Sequence, residues 1–252
     1  MYRRLGDNVG VATVLHNLGN LHCQQNNHMR ARALYSECLT RYEQRESHAD
    51  IALLSLGIGA VVRDQGKGEV ASTAFARSLE LAQALGDEWT AATALLNRGD
   101  IVCDRDELAA ARNCFDAALA SFERLGDQEQ VAVAQARLAL AAFLGSEHAA
   151  AVRLFRQSLM LASAIGFQPG VADGLEGLGG CAAYTQPLLA ARLFAAAATL
   201  RKTLELPISL AELPRHAQLV RAAQCGSEPA AWAEGQQLAS AQAVALALTH
   251  LS

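Results

Sequence analysis

The forty residues LGDEWTAATALLNRGDIVCDRDELAAARNCFDAALASFER, numbered 85–124, contain two apolar stretches in succession. In each stretch the apolar residues recur every three or four positions, which is the period of an amphipathic helix. They are Ala92, Leu95, Leu96, Gly99 and Val102 in the first stretch, and Ala111, Cys114, Phe115, Ala118, Leu119 and Phe122 in the second. Since a short polar segment separates the two, this stretch predicts a helical hairpin.

The same pattern returns at intervals of forty residues, so the chain consists of five similar repeats. Two alanine columns, one aromatic column and one column of small residues stay in register. The columns are Ala12, Ala52, Ala92, Ala132 and Ala172; Ala31, Ala71, Ala111, Ala151 and Ala191; Tyr35, Phe75, Phe115 and Phe155, with Phe194 one place early; and Gly19, Gly59, Gly99, Ala139 and Gly179. We therefore predict an all-α, right-handed solenoid, with alanines where helices cross closely and aromatic rings in the gaps between hairpins.

The boundaries between repeats carry signals that end one helix and begin the next. In Leu85-Gly86-Asp87 the glycine suits a left-handed backbone and the aspartate can cap the following helix. The second repeat has Glu46-Ser47 at this point, so we expect Ser47 to keep the start signal while the stop signal weakens. The predicted repeats lie near 5–44, 45–84, 85–124, 125–164 and 165–206.

After Leu204 the forty-residue pattern fails, and we expect residues 207–252 to form a helical C-terminal cap. The last hairpin of a solenoid exposes an apolar flank, here Leu189, Leu193 and Leu200, unless a terminal element covers it. The residues predicted to cover this flank are Trp232, Ala243, Val244, Leu246, Ala247 and Leu248.

The spacing within each repeat resembles the tetratricopeptide repeat (TPR). Leu18-Gly19 is followed by Ala31, Tyr35 and Cys38 at the offsets where that repeat has Leu-Gly, Ala, Phe and Ala. Repeats of forty residues with Leu-Gly-Asp between helices are similar to the longer variant in MalT-like bacterial regulators and large STAND-type signal-transduction ATPases. The resemblance implies a TPR-like α-α superhelix and a non-enzymatic protein-protein interaction module, more narrowly the sensor or regulatory arm of a bacterial signalling or transcription regulator.

Such regulators carry an ATPase ahead of the repeats and often a DNA-binding helix-turn-helix, and neither is recognisable here. The segment Met1–Asp7 reads like the last turn of a preceding second helix. We therefore expect either the C-terminal piece of a larger protein or a short relative that lost its upstream part.

In the family that the chain resembles, the first helix of each repeat lines the concave face. By that analogy the partner-binding residues for a protein or peptide are His16, Asn17, Asn20, Gln24, Arg63, Asn97, Asp100 and Asp104. Asparagine both donates and accepts hydrogen bonds, so it can hold the backbone of an extended peptide. Ordinary solvated helix faces carry such residues as well, and the sequence leaves both interpretations open.

The first helix of the fourth repeat is apolar almost all round. Its distinguishing residues are Val133, Leu140, Phe143 and Leu144. A helix of this kind is normally buried on every side, so we favour cover by the superhelix or the C-terminal segment. The alternative is an apolar contact patch for a partner.

Composition narrows the class of partner. The net charge of -4, a pI near 6.0 and the lack of a basic arm predict no direct nucleic-acid or membrane partner. The apolar stretches are too short to span a bilayer and no signal core is present, so a cytoplasmic location is expected. The six cysteines show no paired spacing and are predicted to be reduced, small core residues.

No motif for catalysis, a cofactor or a metal is present, so we predict that the protein is not an enzyme. Gly66-Lys67-Gly68 lacks the first glycine and the hydroxyl residue of a phosphate-binding loop and predicts a hairpin turn. His22, Cys23 and His28 lack a second ligand pair at metal spacing. Two alternative functions stay open: a sensor that binds a small-molecule effector on the concave face, and a structural oligomerisation module. The sequence does not fix the oligomeric state.

Overall fold

The computed structural model describes residues 8–24, 27–44, 46–206, 208, 213–226 and 229–251, and at 8–10, 12, 13, 20, 23 and 24 it describes the backbone only. This part of the chain is predominantly helical and contains no strand. The first helices of the repeats are α1 (Asn8–Gln24), α3 (His48–Asp64), α5 (Glu88–Asp104), α7 (Gln128–Leu144) and α9 (Gln168–Ala182). The second helices are α2 (His28–Glu43), α4 (Gly68–Leu85), α6 (Leu108–Leu125), α8 (His148–Ala164) and α10 (Pro187–Thr203). The C-terminal segment adds α11 (Leu213–Cys225), α12 (Pro229–Gln237) and α13 (Ser240–His250).

The chain divides into two compact units, residues 1–106 and 107–252. In the first unit α1 packs on α2 and α3 on α4 as hairpins, α5 packs on α4, and α3 also contacts α5. In the second unit α7 packs on α8 and α9 on α10, α6 packs on α7, and α7 also contacts α9. Within each unit, successive first helices are therefore neighbours, as expected for stacked hairpins.

The alanine columns lie where first and second helices meet. Every residue of the first alanine column is the fifth residue of its helix, and Ala52 and Ala132 have no exposed surface. Because the two helices lie close together, serine hydroxyls form hydrogen bonds between them. Ser78 Oγ donates to the Ala52 carbonyl and Ser158 Oγ to the Ala132 carbonyl, both at 2.8 Å. These buried hydroxyls occupy one repeat position, so the same satisfied hydrogen bond links the two helices in different hairpins.

The aromatic column packs on glycines of two first helices. A Cβ added to Gly19 would lie 2.3 Å from Cε1 of Tyr35 in the same hairpin, and one on Gly57 would lie 3.1 Å from Tyr35 Cζ in the next. The contact within a hairpin recurs as Gly59 with Phe75, and the contact between hairpins as Gly177 with Phe155. The rings thus lie in the gap between hairpins, as predicted. They also lie against the first helix of their own hairpin, which was not predicted. A side chain at these glycines would displace the ring.

The turns at Gly86 and Gly126 confirm the predicted stop and start signals. Their φ values of 70° and 71° are left-handed, which glycine adopts without a Cβ clash. Asp87 then accepts a hydrogen bond from the backbone N–H of Thr90 at 3.0 Å, and Asp127 caps α7 in the same way. The turn predicted for Gly66-Lys67-Gly68 is confirmed as well, because Gly66 separates α3 from α4 with a φ of 75°.

The start of the second repeat differs from the expectation. Ser47 is the N-cap residue of α3, but its side chain makes no capping bond to the helix backbone. Its hydroxyl instead donates to the Asp50 carboxylate at 2.5 Å. Glu46 occupies the position of the missing glycine and is held at a φ of 53°. The backbone of this turn therefore has the same left-handed shape as the glycine turns, although its side chains do not favour that shape.

The C-terminal segment packs mainly against the last hairpin. α12 lies on α10, α11 contacts α9 and α10, and α13 contacts α8, α9 and α10. A Cβ on Gly235 of α12 would lie 2.4 Å from the Arg192 carbonyl oxygen of α10, so the two helices are in direct backbone contact. Trp232 packs against the same core cluster that contains the buried Leu189 and Leu193. Leu200 and the predicted covering residues of α13 belong to this cluster too.

Candidate functional site

The polar residues predicted to bind a partner lie on the first helices α1, α3 and α5 of the first unit, and we call them the polar surface. On α1, Asn17 is exposed, whereas His16 is half-buried with its ring edge-on to Tyr35 at a centroid distance of 6.0 Å. Burial lowers the pKa of His16, and nearby Asp50 only partly offsets this, so the imidazole is neutral at pH 7. Asn20 and Gln24 also belong to α1, but their side chains lie outside the described residues.

Two of the predicted residues bind each other. Arg63 Nη1 on α3 donates to Asp100 Oδ2 on α5, and their side chains are only 15% and 13% exposed. Because each charge already has a partner, neither is a free contact for a ligand. The sequence analysis had named both as contacts for a partner. The pair instead fixes α3 against α5. A partner that engaged Arg63 with a carboxylate would have to compete with Asp100.

The other predicted residues on α5 lie on either side of this ion pair. Asn97 is half-buried and its side-chain Nδ2 donates to the Thr93 carbonyl at 2.8 Å, while Asp104 is exposed near the end of the helix. Asn97 occupies the same repeat position as Asn17. The polar surface therefore combines amide groups of matching position with an internal ion pair.

A second polar cluster, which the sequence analysis missed, lies in the second unit. Arg201 on α10 makes a bidentate contact with Glu176 on α9, with Nε–Oε1 and Nη2–Oε2 distances of 2.7 and 2.8 Å. Its Nη2 also donates to Asp173 Oδ1 at 2.6 Å, and His216 Nε2 of α11 lies 3.4 Å from Glu176 Oε1. We call these four residues the charged cluster. It links α9, α10 and α11.

The cluster holds its charges in place by mutual compensation. Burial raises the pKa of Glu176, but hydrogen bonds from His216 and Arg201 outweigh it, so the pKa falls below its ordinary value. Burial lowers the pKa of Arg201, and Glu176 with Asp173 more than reverses this. One sequence signal was available: Asp173 and Glu176, three residues apart, interrupt an otherwise apolar helix. Their partners are 25 or more residues away, so spacing alone could not identify them.

A cavity of about 100 Å³ adjoins the charged cluster, and α7 supplies part of its wall through Arg137 and Leu140. Leu140 and Phe143 of the predicted apolar patch pack against the core cluster of the second unit. Val133 and Leu144 are partly exposed on α7. The structure thus packs at least two of the four predicted patch residues against the core, and all four remain partly exposed.

Within the described residues, no group of three or more His, Cys, Asp or Glu side chains is arranged to hold a metal ion. Of the cysteines whose side chains are described, none is in a disulfide, but Cys225 is exposed and does not fit the predicted core role. Burial raises the pKa of Cys38 to about 11, so that thiol is protonated at neutral pH. Among the described helices, none is long and apolar enough to cross a membrane.

Comparisons with known proteins agree with the helical architecture. The tetratricopeptide repeat family model matches residues 90–164. The crystal structure of BtubC (BKLC) from P. vanneervenii is similar with a TM-score of 0.59 at 18% sequence identity, over 90% of this chain and 88% of that chain. At this identity the likeness shows the fold alone. None of the curated proteins matches the chain in sequence.

The predicted fold class, an all-α solenoid of paired helices, is confirmed. The TPR resemblance is supported over the matched stretch. Repeats of this family generally mediate protein-protein interactions and are typically non-enzymatic, which makes a protein or peptide the expected class of partner.

Proposed function

We propose that the chain is a non-enzymatic module that binds a segment of a partner protein on the polar surface of the first unit. The observation that carries the proposal is the contact of α3 with α5, where the Arg63–Asp100 ion pair joins the two helices one turn from Asn97. Asn17 and Asn97 place amide groups at one repeat position, a type of side chain that suits the backbone of an extended peptide. The half-buried ion pair keeps this surface rigid.

We further propose that the module is the sensor or regulatory arm of a bacterial signalling or transcription regulator. This finer proposal rests on the forty-residue repeat length and the Leu-Gly-Asp boundaries, which resemble the MalT-like variant. Reading the coding sequence directly upstream tests it. An in-frame ATPase supports the regulatory arm, and an unrelated reading frame with its own stop codon contradicts it.

The peptide-binding proposal is tested by selecting ligands from a displayed library of random 15-residue peptides with the full chain as bait. The affinity of a selected peptide is then measured by calorimetry for the wild type and for Asn17→Ala/Asn20→Ala/Asn97→Ala. We expect at least about tenfold weaker binding with only a small fall in melting temperature, because Asn17 is exposed and Asn97 contributes a single hydrogen bond within its own helix. Asn113→Ala, an exposed asparagine on the second helix α6, is the matched control. Equal affinity for the triple variant would move the site elsewhere.

A second candidate function is a small-molecule sensor in the second unit. The observation that favours it is the cavity of about 100 Å³ beside the charged cluster, where Arg137 and Arg215 add two further guanidinium groups to the lining. Buried convergent charges of this kind are common in ligand sites. In a scan of small anionic metabolites, we expect at least one to raise the melting temperature of the wild type and not that of Arg215→Gln. No shift with any metabolite would remove this candidate.

A further inference from the structure

A larger cavity in the second unit shares no lining residue with the polar surface or the charged cluster. Its volume is about 850 Å³, within the range of small-molecule sites. One wall is a single face of α8, which runs from His148 to Met160, and the opposite wall is the end of α9 with the turn that follows it. Phe143 at the end of α7 and Leu251 at the end of α13 complete the lining.

The α8 wall departs from the repeat in the direction of a ligand site. Val152 is apolar, whereas the same position in the other repeats holds Arg32, Ser72, Arg112 and Arg192. Met160 is apolar as well, at a position where the other repeats have Thr40, Glu80, Ala120 and Leu200. Repeat packing does not require these changes, because hairpins with polar residues at both positions fold in the same way. The change at Val152 is specific to this hairpin, and together with Met160 it adds apolar surface to this face of α8.

The mouth of the cavity leaves large side chains in water. Met160 of α8 is 54% exposed, and Tyr184 in the turn after α9 is 69% exposed. Deeper in the lining, burial raises the pKa of Cys181 to about 12, so its thiol is neutral and contributes no charge at pH 7. An apolar body placed between Met160 and Tyr184 would remove both from water, which favours binding.

The charged side chains that line the cavity are all basic. They are Arg153 and Arg156, His148 adds an imidazole, and among the described residues no carboxylate belongs to the lining. Arg156 donates to the carbonyl oxygens of Leu248, at 2.6 Å, and Leu251, so it is engaged at the end of α13. Arg153 is exposed and forms no ion pair within the described part of the chain. The charge that complements this lining is negative.

We propose that this cavity binds a small amphipathic anion, with its aliphatic body between Val152, Met160 and Tyr184 and its carboxylate at Arg153. The site is separate from the peptide-binding surface, and the proposal does not depend on that function. The cavity is large enough to admit a medium-chain carboxylate, and a bidentate guanidinium contact is the preferred partner of a carboxylate. The ligand would connect α8, the α9–α10 turn and the end of α13.

The test is calorimetric titration of the full chain with decanoate and, as the uncharged probe, decanol. We expect one decanoate per chain, decanol at least about tenfold weaker, and loss of about tenfold in decanoate affinity on Arg153→Gln. Ala149→Trp, at an exposed lining position, should abolish the binding of both probes. Arg221→Gln, an exposed arginine of α11 outside the cavity, is the control and should bind decanoate like the wild type.

Three results would each overturn the proposal: no binding of decanoate at millimolar concentration, equal affinity for decanoate in Arg153→Gln, or undiminished binding in Ala149→Trp. Should Ala149→Trp lower the melting temperature, Thr185→Trp blocks the cavity from the opposite wall and gives the same readout. Survival of decanoate binding in a folded Thr185→Trp variant would then place the bound anion elsewhere.

Discussion

Tyr35 in the first unit and Phe155 in the second make the same contact, each lying against a glycine 22 residues further on, Gly57 or Gly177. The ion pairs described next, by contrast, join different repeat positions in the two units. In the first unit the Arg63–Asp100 pair joins two first helices, α3 and α5. In the second unit Arg201 joins a second helix to two carboxylates of its own first helix, and α11 adds His216. The apolar core of a repeat and its buried serine hydrogen bond are thus copied along the chain, whereas these ion pairs are specific to each place.

This difference has a physical reason. A close helix crossing requires the same small residues and the same ring wherever it occurs, because interiors are packed to crystal-like density. An ion pair needs only two complementary side chains within reach, and many pairs of positions satisfy that. The four experiments that follow break or sharpen this comparison, from the largest expected effect to the smallest.

Removal of residues 207–252 should have the largest effect. The helices α11–α13 pack on α9 and α10, and their loss would expose Leu189 and Leu193, which are 6% and 0% exposed. An apolar flank of this kind promotes association. We expect the truncated chain to dimerise or aggregate at concentrations where the full chain does not, as measured by light scattering coupled to gel filtration. A truncated chain that stays monomeric and keeps the stability of the full chain would show that this segment is not a cap.

Phe115→Ala tests the copied core. Phe115 is fully buried in the aromatic column, and truncating a buried phenylalanine typically costs about 3–5 kcal/mol of unfolding free energy. Urea denaturation of the wild type and the variant measures the difference. The matched control is Ala117→Gly, an exposed position on the same helix, where only about 1 kcal/mol of helix propensity is lost. A loss below about 1 kcal/mol for Phe115→Ala would mean that the column does not carry the core.

Much of the core that this experiment probes was predicted from sequence. The alanine, aromatic and glycine columns specify helices by period and crossings by size, and these rules act locally, so one chain displays them five times. The second contact of each ring, as in Tyr35 against Gly57, was not predicted, because it depends on how one hairpin stacks on the next. Ser78 and Ser158 were missed for a similar reason, since a serine among alanines looks like another small residue until its hydroxyl finds a carbonyl.

The candidate site was far less predictable. Asn17 and Asp104 are exposed as expected, but Arg63 and Asp100 were taken as ligand contacts and are paired with each other. Opposite charges 37 positions apart lie outside any local helix rule, so only the stacked arrangement reveals them. The cavity beside α8 depends on α9 and α13 as well, and no single segment of sequence contains it.

Glu176→Gln tests a polar link that is specific to its place. The folded pKa of Glu176 is lowered, so its ionised form stabilises the fold above the unfolded pKa of about 4.3, and this contribution is lost as pH falls through the lower folded value. At pH 7 we expect the variant to be less stable by about 1–3 kcal/mol, since it loses a partly buried charged hydrogen bond. The gap should narrow as the pH falls below about 4 in urea titrations. Glu123→Gln, an exposed carboxylate on α6, should show neither effect.

The smallest effect is expected at the boundary after α2, where Glu46 adopts the left-handed backbone that glycine adopts after α4. After α2 the N–H of Glu46 donates to the Glu43 carbonyl and that of Ser47 to the Tyr42 carbonyl, and after α4 Gly86 and Asp87 repeat this pattern. Glu46 adopts a φ of 53°, a conformation that costs a residue with a Cβ about 1 kcal/mol or more.

Glu46→Gly should therefore raise the unfolding free energy by about 0.5–1 kcal/mol, because relief of the left-handed strain exceeds the entropy that glycine gains in the unfolded chain. Gly86→Ala supplies the opposite sign within the same unit. A Cβ on Gly86 meets no atom within 4 Å, so the expected loss of about 1 kcal/mol comes from the backbone alone. Urea titration of both variants decides the point. Opposite shifts of similar size mean that the turn imposes its shape on whichever residue occupies it, whereas a loss of stability in Glu46→Gly means that the Glu46 side chain itself contributes to the fold.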